Sequence, residues 1–213
     1  MIRQFKISVS KNTLNNIYKK VRNYPWKMIQ NVNGWEYGTN YNFLKKISQY
    51  WVSKYNWKKF ENKINSFKNY KTNVDGINLH FIKEKSKNPK SRPLLLLHGW
   101  PGSVIEFLDI IPKLAHPEKY GGKIEDGFDV IVPSLPGFGF STPIKKALGP
   151  RKIGKILNKF MVKNLGYKNY VVQGGDWGAT IAGWIGLDSA KYCKGIHINC
   201  LPLRHPKGPK NIK

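Results

Sequence analysis

Acidic side chains are scarce in this chain: 12 Asp and Glu stand against 37 Lys and Arg, a formal net charge of +25 over 213 residues. Such an excess suits nucleic acid or an anionic membrane surface. The lysines are scattered, however, asparagine is frequent beside them, and no one helical stretch carries a dense basic block. That pattern reads as compositional bias, and no specific nucleic-acid partner is expected from it. Cysteine is nearly absent too. Cys193 and Cys200 are too few for a disulfide framework, and their spacing suggests no metal site. There is no Asn-x-Ser/Thr acceptor, no visible secretory leader and no apolar run long enough to span a bilayer. These absences together lead to the expectation of a reducing, cytosol-facing location. What the chain does have is 40% hydrophobic residues, many of them aromatic, which is enough for a folded core.

The stretch that organises the rest is YVVQGGDWGA, residues 170–179. Tyr170, Val171 and Val172 are strand-like, and a helix-like apolar run follows Ala179. A strand, a tight turn and a helix with one reactive side chain at the apex is the layout of a nucleophile elbow. Only small residues fit two positions either side of the apex, and here these are Gly174 and Gly178 around Asp176. An aspartate nucleophile attacks carbon and leaves an alkyl ester on the protein, which points to epoxide opening or halide displacement. The plainer reading, in which Asp176 merely caps the next helix, stays open on these residues alone.

Along the chain, Phe5, Ile7 and Val9 alternate with polar residues as an extended arm would. Ser10 is placed to cap a helix reaching about Asn23, ended by Pro25. Leu44, Ile47 and Trp51 mark a second helix, and Trp57, Phe60 and Ile64 a third. Residues 1–70 are thus expected to form a helical domain whose aromatics serve core or interdomain packing. The pattern changes at Lys71. Two alternating runs around Asp75-Gly76 predict a β-hairpin. Residues 93–97 and 128–132 are continuous apolar runs, typical of strands buried on both faces. Ser103 with Glu106 predicts a capping box opening a helix that Pro112 closes or bends. Residues 149–165 predict another helix, and residues 194–199 a last strand. From about residue 93 the order β-α-β-α-β-α-β argues for an α/β fold with a parallel sheet.

Two more loops leave strand ends. His98-Gly99-Trp100-Pro101-Gly102 follows the first buried strand, where a Gly-rich exit can turn backbone N–H groups toward a neighbouring site. Trp100, with Trp177 after the apex, would then supply the two donors of an oxyanion hole. His98 is read as structural, bonding backbone to hold its loop. About 75 residues separate the two half-motifs, room for one strand-helix-strand-helix passage. The third loop, SLPGFGFS at residues 134–141, lies at the end of the middle strand, where such sheets bind ligands.

HGWPGS, SLPGFGFS and GGDWGA together resemble the epoxide hydrolases of the α/β-hydrolase fold, most closely the microsomal and juvenile-hormone branch. The leader stretch YGTNYNFLKKISQYW with KYNW, and VDGINLHFIK after it, resemble that branch's N-terminal domain. The likeness covers nearly the whole chain. It implies Asp176 as nucleophile, Trp100 and Trp177 as oxyanion-hole N–H donors, a small apolar epoxide as substrate, and no metal or organic cofactor. It implies the cytosolic face of the endoplasmic reticulum as location; with no anchor seen in the chain, attachment would be to a peripheral membrane surface.

The departures lie in what the resemblance leads one to seek after the lid: a His to activate water, an acid to orient it, and lid tyrosines for the epoxide oxygen. His80, His116, His197 and His205 do not occupy the expected place. The expectation is therefore the N-terminal half of such an enzyme, with residues 71–213 as the first half of the catalytic core. The alternatives are a haloalkane dehalogenase-like hydrolase, against which the leader argues, a non-catalytic truncated paralogue acting by binding, and a basic nucleic-acid or membrane-surface binder.

Overall fold

The structure is a computed structural model that describes residues 1–30 and 34–200. It divides into two compact units. The smaller, Ile7–Asn65, is built from helices α1 (Lys11–Arg22), α2 (Tyr41–Ser53) and α3 (Trp57–Asn65). Ser10 caps α1 as its sequence predicts, its Oγ accepting from Thr13 N–H at 3.0 Å. Asn40 does the same for α2 through Phe43 N–H, also at 3.0 Å. The two ends of the unit are tied together. Asn65 accepts from Ile7 N–H and donates to Ile7 C=O, and Glu61 accepts from Val9 N–H. Glu61 is buried but bonded also to Trp57 and Lys58, and these bonds hold its carboxyl below the usual range against the opposing cost of burial. The aromatics here differ from expectation. They pack in pairs, Trp26 on Tyr41 and Trp35 on Phe43, but Trp35, Tyr37, Tyr50 and Trp51 keep much of their surface exposed.

The larger unit comprises Met1–Lys6 and the chain from Ser66 onward. Its strands are β1 (Arg3–Gln4), β2 (Asn69–Val74), β3 (Ile77–Glu84), β4 (Arg92–Leu97), β5 (Phe128–Pro133), β6 (Tyr170–Gly174) and β7 (Cys193–Ile198). Among the described residues they form one sheet in the order β1-β2-β3-β5-β4-β6-β7. The sheet is mixed. β4, β5, β6 and β7 are parallel, as the apolar runs predict, whereas the β2–β3 hairpin joins β5 antiparallel. The hairpin turn forms at Asp75-Gly76, both at positive φ (52° and 82°), the geometry that suits the twist of paired strands.

Helices α5 (Pro150–Lys159) and α6 (Trp177–Asp188) cover one face. Ile153, Leu157, Phe160, Ile181 and Ile185 pack there against Leu95, Leu97, Ile131 and Val172. At its end α5 widens into a π-helical turn, with Leu165 N–H reaching Phe160 C=O at 3.0 Å. The capping box of Ser103 and Glu106 is present but opens only a short 3₁₀ turn, Val104–Phe107. Pro112 does not end a helix; it lies in the first turn of α4 (Ile111–Ala115), where its missing N–H costs nothing.

On the opposite face Leu94, Leu96 and Val171 floor a groove of about 710 Å³ walled by Phe107, Ile110 and Leu114. Beside it, β7 is an edge strand among the described residues. An apolar groove next to a free strand edge is a self-association hazard. The 213-residue chain on its own is therefore expected to elute as oligomers or aggregates. A monodisperse monomer with a sharp two-state melt would contradict this.

Candidate functional site

The ends of the parallel strands bring the three loops together. β4 ends at Leu97 and β6 at Gly174, and these two residues lie side by side in the register. The loops that follow them therefore leave the sheet as neighbours. Asp176 stands at the top of the second, at φ 52° and ψ −120°. For a residue with a side chain this left-handed conformation is strained, and such residues cluster where a side chain must be held in a particular place. The glycines around it are required by contact. A Cβ on Gly174 would run into the backbone of Gly178, and one on Gly178 into the carbonyl of Leu97. α6 starts immediately after Asp176, so the helix presents its positive end to the carboxylate.

The first loop meets Asp176 from the other side. Trp100 N–H donates to Asp176 Oδ1 at 2.8 Å. Gly99 lies so near that an added Cβ would be 2.8 Å from Asp176 Cβ. The structure thus brings two of the sequence-selected residues, Asp176 and Trp100, into direct contact. Trp177 is the first residue of α6, where the leading N–H groups have no partner within the helix. The site is open: Trp100 is 66% exposed and Trp177 37%.

His98 is fully buried and does what its sequence position suggests. Its Nδ1 donates to Gly99 C=O at 2.9 Å, and its Nε2 accepts from Leu135 N–H at 3.0 Å. It ties the first loop to residues 134–141. Only the neutral ring can accept at Nε2, and burial pushes its pKa down. Two contributors escaped the sequence reading. His80, buried on β3, bonds both ends of the 134–141 loop through Ser134 and Ser141. Asn199, just after β7, packs its carboxamide against Gly175 of the elbow. Their partners are distant in sequence, so spacing gives no signal. His116 pairs with Glu84 at 2.8 Å, and His197 lies on β7 along the groove. His205 lies outside the described residues. Among the described residues, no group of three or more His, Cys, Asp or Glu could hold a metal ion, and no helix is long and apolar enough to cross a membrane.

Burial, and secondarily the Lys71 ammonium, push His80 down to a pKa of about 3. A histidine held neutral in the fold loses its stabilising effect when the unfolded chain takes up a proton. His80's contribution is therefore whole above its unfolded pKa of about 6.5 and shrinks as pH falls toward 3. At pH 5 the loss from His80 alone is about 2 kcal/mol. The urea midpoint should fall between pH 7 and pH 5, and fall less in His80→Asn. An equal fall in both proteins would rule His80 out as the cause.

Residues 92–211 match the family described as alpha/beta hydrolase fold, and residues 2–107 match the family described as epoxide hydrolase N terminus. The chain belongs to the epoxide hydrolases of the α/β-hydrolase fold. It is 37% identical to epoxide hydrolase 1 of Oryctolagus cuniculus, over 93% of this chain and 44% of that protein. It is 36% identical to juvenile hormone epoxide hydrolase 1 of Ctenocephalides felis, over 100% of this chain and 45% of that one. The crystal structure of juvenile hormone epoxide hydrolase from Bombyx mori superposes with a TM-score of 0.82 at 34% identity, covering 94% of this chain and 53% of that one. The chain spans about half the length of the relatives it matches, and the part it matches is their N-terminal half.

Proposed function

We propose that this chain carries the nucleophile half of an epoxide hydrolase site, and that the whole protein converts a small apolar epoxide to a diol through an ester on Asp176. The supporting observation is the 2.8 Å bond from Trp100 N–H to Asp176 Oδ1, made at the apex of the elbow. It distinguishes the two carboxylate oxygens. Oδ2 attacks an epoxide carbon, that carbon's bond to the ring oxygen breaks, and the oxygen, still joined to the neighbouring carbon, becomes an alkoxide that takes a proton from water. Oδ1 becomes the ester carbonyl oxygen, still facing Trp100. When water adds to the ester carbon, negative charge gathers on Oδ1, where Trp100 and Trp177 N–H are the donors. Collapse releases the diol and restores the carboxylate. The scheme uses no metal or cofactor.

An Asp elbow also suits halide displacement. The match of residues 2–107 to the epoxide hydrolase N terminus favours the epoxide. Mass measurement of Asp176 after exposure to an epoxide, with Asp176→Asn beside it, is the test. For location we favour peripheral attachment at the cytosolic face of the endoplasmic reticulum, driven by the +25 charge. Electrostatic attachment is screened by salt, so a high-salt wash should strip the chain from membranes. Retention through the wash would sink the electrostatic account.

A further inference from the structure

We propose that His80 is a positioning residue for the oxyanion donor Trp100, acting through the loop at residues 134–141 and through His98. The proposal rests on the reading of Asp176 and Trp100 given above.

Four hydrogen bonds meet at or beside His80. Its backbone N–H donates to Ser141 Oγ at 2.9 Å, and its carbonyl accepts from Ser134 N–H at 3.0 Å. Its ring Nε2 pairs with Asn69 Oδ1 at 3.0 Å and its Nδ1 with Ser134 Oγ at 2.9 Å. The proton is placed by Asn69, whose amide nitrogen donates to Phe67 C=O and turns Oδ1, an acceptor only, toward the ring. Nε2 therefore donates and Nδ1 accepts from the Ser134 hydroxyl. Ser141 Oγ in turn donates to Ser134 C=O at 2.8 Å, so both ends of the loop close on one residue. Phe5 and Phe140 pack edgewise on the ring, and the charged group facing it is Lys71.

The path then continues without a gap. Leu135, next to Ser134, donates its N–H to His98 Nε2, and His98 Nδ1 donates to Gly99 C=O. Gly99 abuts Asp176, and Trp100 N–H holds Oδ1. A buried apolar side chain at position 80 would fill the space without the cost of desolvating an imidazole. What the imidazole adds is a fixed place for Ser134, hence for Leu135 N–H, hence for the His98 ring that sets the Gly99–Trp100 backbone. The same Trp100 N–H fixes Oδ1 during alkylation so that Oδ2 faces the epoxide carbon, and a misplacement of about 1 Å is enough to slow such a step, so support at this remove reaches the chemistry.

The test has two arms on the full chain. The first is the rate of Asp176 alkylation by a reactive aryl epoxide, read by intact mass. The second is hydrogen exchange in peptides spanning residues 98–102 and 134–141, with the α6 peptide as internal reference. Ser134→Ala and His80→Leu are expected to slow alkylation roughly tenfold and to raise exchange in both loops while α6 stays protected. His80→Asn, whose Oδ1 can take the Ser134 proton in place of Nδ1, should restore most of the rate. A purely structural His80 would instead make rates follow global stability, with Asn and Leu alike. Wild-type exchange at residues 98–102 in Ser134→Ala would overturn the proposal, as would an Asn variant no faster than Leu. If His80→Leu does not fold, Ser134→Ala carries the test, since it removes a single hydroxyl. If no adduct forms on wild-type Asp176, the functional reading fails by itself, and the exchange arm still decides whether His80 positions the loop.

Discussion

Incubated with an excess of reactive epoxide, the 213-residue chain should gain one adduct on Asp176, slowly, and then stop. The first step needs a carboxylate in line with an epoxide carbon, and a carboxylate requires no base to ready it at neutral pH. In the proposed scheme Asp176 supplies it: Trp100 N–H holds Oδ1, and the apex is exposed to solvent. The described residues placed at the elbow include no acid, other than the nucleophile itself, to protonate the leaving ring oxygen, which keeps the step slow. The second step is different in kind. Hydrolysis of the ester needs water activated by a positioned base, a factor of about 10²–10⁴. Three of the described histidines are committed elsewhere, His80 and His98 to loop bonds and His116 to Glu84, and His197 lines the groove beside β7. The ester should therefore accumulate. Asp176→Asn should lower the adduct rate by at least about 100-fold, since an amide is a far poorer nucleophile than a carboxylate. Multiple turnovers that vanish in Asp176→Asn would mean a base is present, and His205 would be the residue to substitute next. An adduct that forms equally on Asp176→Asn would reduce the GGDWGA turn to a helix start.

The parts of this fold legible in the sequence are those whose cause is local. Apolar runs such as Pro93 to Leu97 mark strands because a strand between covered faces has no polar side. Asp75-Gly76 marks a hairpin because both residues tolerate positive φ, and Ser10 marks a helix start because its hydroxyl reaches Thr13 N–H. The elbow was legible for the same reason: the crowding that demands glycine at 174 and 178 leaves its trace in the residue type. What was not legible depends on partners far along the chain. His80 bonds Ser134 and Ser141, 54 and 61 residues away, and no spacing rule encodes that. Pro112 misled because proline stops a helix from within but is welcome in its first turn, and only the structure shows which turn it occupies. The exposed aromatics of α2 show a further limit. Their spacing says which residues share a face, and not what, if anything, covers it.

Two glycines on one helix should respond in opposite senses to the same substitution. Gly178 and Gly183 both lie in α6. At Gly178 an added methyl would overlap the carbonyl of Leu97, a fully buried residue at the end of the interior strand β4. Neither side can yield easily, since the contact is with backbone, and Leu97 is held by its pairing with Gly174 across the register. Shifting α6 outward would drag Asp176 away from Trp100. Gly178→Ala should therefore cost about 3 kcal/mol or more, from overpacking in a rigid place next to a residue already at strained φ. Against a typical total of about 5–15 kcal/mol, that should put much of the protein in the insoluble fraction. At Gly183 an added methyl meets nothing within 4 Å. There the substitution should stabilise by roughly 0.5–1 kcal/mol, because alanine loses less backbone freedom on entering a helix. Urea midpoints of the two variants, read beside the wild type, give the sign of each effect. Equal midpoints would mean that the elbow is not packed against β4 as tightly as the Leu97 contact requires. A Gly178→Ala protein that folds yet no longer reacts with an epoxide would show the same contact acting on chemistry instead of stability, through the distance between Asp176 Oδ1 and Trp100 N–H.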